Sequence, residues 1–108
     1  MANTRFLTGV TTAVPTYGST ITLPPWADSF SVQYVETGTG AITATVVTQV
    51  SNDGTNWIQL ASTALNGTTT TTDGFSFVGS WAYIRAGVSA ISGTGATVNG
   101  YLYFSERK

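Results

Sequence analysis

Apolar and polar positions alternate with a period of two along much of the chain, which predicts half-buried strands. An N-terminal arm over Thr4–Val10 is followed by turn markers at Pro15 and Gly18, then a short strand at Ser19–Leu23 stopped by Pro24 and Pro25. Ser29–Glu36 sets Phe30, Val32 and Tyr34 on one face and Ser29, Ser31 and Gln33 on the other. In Ile42–Val50 the apolar face is Ile42, Ala44, Val46 and Val50, against Thr43, Thr45 and Gln49. Further strands are expected at Asn56–Ala61, Phe75–Val78, Trp81–Val88 and Ala96–Ser105, with Thr68–Thr72 as a loop or a plain edge strand.

Punctuation separates these segments. Thr37-Gly38-Thr39-Gly40 and Ser92-Gly93-Thr94-Gly95 read as turns. The strongest signal is Ser51-Asn52-Asp53-Gly54-Thr55, because Asn and Asp tolerate left-handed backbone and Gly adopts it at little cost. About eight short strands with frequent turns predict one all-β domain over residues 1–108, a single antiparallel β-sandwich of jelly-roll or Ig-like type. It would carry a short N-terminal arm and a charged C-terminal tail, Glu106-Arg107-Lys108. No helix longer than a turn is expected.

Composition changes the picture mainly by what it lacks. Only 8% of the 108 residues are charged, against roughly 25% in an ordinary domain. The chain holds 21 Thr and 10 Ser, which suit a pleated surface, and 13 aromatics, enough to fill a core. Four basic residues and a net charge of −1 argue against a nucleic-acid partner. No stretch approaches the ~20 apolar residues of a membrane helix, so no membrane partner is expected. The opening Met and the short length read as a complete small reading frame.

Chemistry is scarce as well. Without His or Cys, the common nucleophile–base pairs and the soft metal sites are missing. Asp53 and Asp73 sit in expected turns, Glu36 ends a strand and Glu106 lies in the tail, so no acid pair is indicated. A calcium ion at Asn52-Asp53-Gly54 would need further ligands, and the hairpin explains those residues without one. No enzyme activity, cofactor or metal is expected. Trp26 and Trp57 are candidates for a glycan platform if they share one exposed patch. Tyr101 and Tyr103 oppose Val98, Leu102 and Phe104 in parity, so both faces of the last strand carry bulk. A strand apolar on both faces, on a nearly uncharged body, points to assembly with neighbours. Arg85, in the middle of a strand, needs an acidic or carbonyl partner.

The run Val50-Ser51-Asn52-Asp53-Gly54-Thr55-Asn56-Trp57, followed by Trp81-Ala82-Tyr83-Ile84-Arg85 and Gly93-Thr94-Gly95-Ala96-Thr97-Val98, resembles small β-sandwich proteins of tailed-bacteriophage virions, capsid decoration (cement) proteins and fibre-associated domains among them. The same hairpin resembles that of discoidin-type domains, which are longer and commonly disulfide-bonded. The phage resemblance implies a virion protein bound to the outer face of the major capsid protein as a homo-oligomer, often a trimer, reinforcing the shell. It carries no catalytic residues. On that reading the arm and tail grip the capsid, and the contact candidates are Arg5, Phe6, Tyr101, Tyr103, Arg107 and Lys108. The alternative is a carbohydrate- or receptor-binding module of a phage head or tail fibre.

Overall fold

The computed structural model describes residues 2–12 and 17–106. Its strands are β1 (Ala2–Val10), β2 (Ile21–Thr22), β3 (Ser29–Ser51), β4 (Ile58–Val78), β5 (Tyr83–Ser92) and β6 (Thr97–Ser105). All pairings are antiparallel, and the described strands join in a single sheet. Six strands therefore replace the expected eight short ones, because two pairs of expected strands are each one continuous strand. Thr37–Gly40, expected to be a turn between two paired strands, lies inside β3: Thr37 pairs with Thr70 and Ala41 with Thr68, so both sides of it pair with the same partner strand.

That strand cannot be straight. Its 23 residues would span about 75 Å at ~3.3 Å each, whereas the longest dimension of the molecule is 41 Å. β3 bends at the register shift between Thr37 and Ala41 and folds back on itself. The Tyr34 hydroxyl consequently lies 2.6 Å from Thr48 Oγ1, although the two residues are 14 apart on the same strand. Gly38 permits the bend, since a methyl there would sit 2.6 Å from Ile42 Cγ2. On β4 the bend passes through Thr69, whose φ of 66° is a strained value for a β-branched residue.

β5 and β6 run end to end along β3, from Ser51↔Tyr83 to Thr43↔Ser92 and from Thr37↔Thr97 to Ser29↔Ser105. β1 then flanks β6, and β2 flanks β5. The segment Tyr17–Ser19 ties β1 to β5: Gly18 N donates to Ala86 O at 2.8 Å and Ser19 N to Phe6 O at 2.9 Å. The sheet is thus nearly closed into a barrel, with β4 left on the unclosed side. The expected inward parities hold, with Phe30, Val32, Tyr34, Ile42, Ala44, Val46 and Val50 all buried. Each large side chain of this kind contributes roughly 1.5–3 kcal/mol on burial.

Two terminal expectations change. The N-terminal arm is strand β1, registered against β6 from Ala2↔Phe104 to Val10↔Val98. In the tail, Glu106 is exposed, while Arg107 and Lys108 lie outside the described residues, as does Pro15.

Candidate functional site

The two outer faces of the folded sheet carry the chain's exposed chemistry. On the face built by β1, β6 and the first half of β3, register places Arg5 beside Tyr101 and Tyr101 beside Gln33. Tyr103 stands beside Ser31 in the same way. These positions alternate with the buried Val32, Tyr34, Leu102 and Phe104, so they point outward. Ser31, Val32, Gln33, Tyr101 and Tyr103 line a shallow groove of about 300 Å³. The Arg5 guanidinium lies 5.5 Å from the Tyr101 ring centroid. Gln33 Nε2 donates to Thr72 Oγ1 at 3.2 Å, and Thr72 Oγ1 donates to Tyr34 O at 2.9 Å. The groove thus offers two phenols and an amide, with the Arg5 cation beside it over the Tyr101 ring, and its lining contains no nucleophile–base pair.

Of the six contact candidates, the fold brings Arg5, Tyr101 and Tyr103 onto this face. Phe6 is not a surface contact: it is 1% exposed in the core, with its ring stacked 6.1 Å from that of Tyr34. Alternation along β1 explains this, since Phe6 takes the opposite face from Arg5. Ser31 and Gln33 were legible as outward from the pattern of β3, although nothing in the sequence placed them beside the tyrosines.

The opposite face is built by β5 and the second half of β3. Here Arg85 is held on three sides. Its guanidinium carbon lies 3.9 Å from the Tyr17 ring centroid and 4.1 Å from that of Trp57. Its Nε donates to Gln49 Oε1 at 2.8 Å, so the expected carbonyl partner is a side-chain amide. Trp57 was legible as outward from its parity. The place of Tyr17 over Arg85 was not legible, because it arrives through the isolated bridge to Gly87.

Trp26 and Trp57 have different neighbours. Trp26 is 44% exposed and packs 5.8 Å from Phe104, at the end of an aromatic row that continues through Phe30 and Phe77 to Phe75. Trp57 covers Arg85 and shares a shallow cavity with Ile58 and Trp81. The cavity wall includes the hairpin Ser51–Asn56, where Gly54 has a φ of 76°. The Asp53 carboxylate accepts from Thr55 N at 2.8 Å, Asn56 N at 2.7 Å, Asn56 Nδ2 at 2.9 Å and the Ser51 hydroxyl at 2.9 Å. Those donors, led by the Asn56 side chain, hold its pKa well below the usual carboxylate range. The carboxylate is therefore occupied in shaping the turn. No group of three or more potential metal ligands occurs among the described residues.

Glu36 is the exception inside. It continues the inward row of Phe30, Val32 and Tyr34, is fully buried, and neither carboxylate oxygen has a hydrogen-bond partner. Burial raises its pKa above the ordinary glutamate value. Tyr34 is likewise raised by burial, partly offset by its hydrogen bond with Thr48.

Among the described residues, no helix is long and apolar enough to cross a membrane. No protein-family model matches the chain, and a search of the curated proteins finds no match. Among solved structures, the chain is similar to the crystal structure of the SPBc2 prophage-derived protein YomS. The TM-score is 0.56 at 13% identity, over 96% of this chain and 94% of that one. The likeness spans essentially both chains and shows a shared fold.

Proposed function

We propose that this chain is a phage structural protein that acts by adhesion, as a capsid decoration (cement) protein on the outside of the virion. The observation that carries the reading is the open face on which Arg5 stands beside a groove lined by Tyr101, Tyr103 and Gln33. Tyrosine and arginine are the residue types that most often dominate protein–protein contacts. The near absence of charge elsewhere lowers the desolvation cost of covering a large area. Fold similarity to a prophage-derived protein and the resemblance of the hairpin segments to tailed-phage virion proteins support the setting.

The partner in this reading is the major capsid protein. A copy seated across neighbouring shell subunits must detach before they separate, and a modest contact repeated over the shell adds up. No reaction, cofactor or metal takes part. The proposal is tested by mixing the protein with undecorated shells of its parent phage and measuring bound protein. Saturable binding that raises the temperature of shell opening is expected; a protein that stays in the supernatant overturns the reading. The glycan-binding alternative would instead show glycan-array signal that Trp26→Ala or Trp57→Ala abolishes while the fold is kept.

A further inference from the structure

β4 is the one long strand whose outer edge is unpaired among the described residues. Its 21 residues include no Lys, Arg or Pro, and Asp73 is their single charge. Edge strands of natural sheets are ordinarily shortened, charged or broken by proline to prevent pairing with another chain. The remaining edges of this sheet are protected: Tyr17–Ser19 closes β1 toward β5, and β2 is two residues long. Apolar groups also lie uncovered along β4. Val78 is 58% exposed and Ile58 56%, and the rings of Phe75 and Phe77, 6.0 Å apart, are half-buried at the unclosed side of the barrel.

We infer that residues 74–78 at the end of β4 form a self-association edge, on which the same residues of a second copy of this chain add antiparallel about a two-fold axis at Ser76. Symmetry and charge select this occupant and this register. A two-fold at Ser76 sets Phe75 of one copy opposite Phe77 of the other, an aromatic cross-strand pair formed twice. Residues 74–78 carry no charge and Asp73 lies outside the pairing, so like charges do not face each other. β4 ends at Val78 on one side and bends at the strained Thr69 on the other, which confines pairing to this end of the strand. The product is a dimer, in place of the trimer implied by the virion resemblance, and it leaves the Arg5–Tyr101–Tyr103 face free.

The chain has no cysteine, so a single introduced thiol reports the contact cleanly. Ser76 is exposed, and across the two-fold its two Cα atoms would be about 4.5–5.5 Å apart, within disulfide range. Ser76→Cys is expected to oxidise to a covalent dimer much faster than Thr8→Cys, an exposed position on β1. In light scattering the unaltered protein is expected at twice its 11.3 kDa chain mass. Ser76→Lys, which opposes two ammonium groups at the axis, is expected at the single-chain mass with an unchanged β circular dichroism spectrum. The inference is overturned by a single-chain or three-chain mass for the unaltered protein. Equal oxidation rates at Ser76→Cys and Thr8→Cys, or a Ser76→Lys variant that keeps the double mass, overturn it as well. Shell binding by a monomer would leave the proposed function standing while removing this edge contact.

Discussion

The two arginines on the described strands occupy opposite outer faces and meet opposite fates. Arg85 lies between two rings and donates to Gln49, so its face is bound to itself. Arg5 is exposed and lies over one ring beside an open groove. The same residue type thus acts as mortar on one face and stands available on the other. What separates them is topology: the chain returns through Tyr17 to cover Arg85 on the β5 side, whereas Arg5 lies over the single ring of Tyr101 from the neighbouring strand.

That contrast can be broken by substitution. Arg85→Ala removes two ring contacts and leaves Gln49 without its donor, so we expect a loss of about 3 kcal/mol. For a chain of this size the thermal midpoint would fall by roughly 15 °C. An unchanged midpoint would show that the clamp is ornamental and the two faces equivalent.

Glu36 sharpens the comparison from the inside, as a polar group that is neither clamped nor available. Its folded pKa is raised, so the native state keeps its proton where the unfolded chain has lost it. Stability is therefore highest below the unfolded value of ~4.3 and falls as pH rises from there to the folded pKa. Glu36→Met is expected to gain about 1–2 kcal/mol at neutral pH and to flatten that slope. Denaturant titrations at several pH values check both effects; a slope that survives the substitution would assign it to another group. Thr69→Gly relieves the positive φ at the bend, and urea unfolding should show a gain of about 0.5 kcal/mol. The smallest effect belongs to the open face: Arg5→Ala should change stability by less than about 0.5 kcal/mol in the same assay. A larger loss would make Arg5 a structural residue like Arg85.

Parity along each strand was legible in the sequence because burial follows a period of two. Tyr101 and Tyr103 were read opposite to Leu102 and Phe104, and Asp53 was read as a turn residue, as the structure has them. The continuity of β3 through Thr37–Gly40 was not legible. Gly and Thr mark a hairpin turn and a bend alike, and the distinction rests on β4 pairing with both sides of the bend. Phe6 was misplaced for a related reason: a terminal segment looks like a free arm until its partner strand, nearly a hundred residues away, is known. The Arg85 clamp needed Tyr17 from outside any predicted strand.

The central claim is that the Arg5–Tyr101–Tyr103 face holds the protein to the shell. Its most direct test is co-sedimentation with undecorated shells, comparing the unaltered protein with the double variant Tyr101→Ala/Tyr103→Ala. The account predicts at least a tenfold loss of affinity, about 1.4 kcal/mol or more, with the thermal midpoint little changed. Full binding by a folded double variant would contradict it.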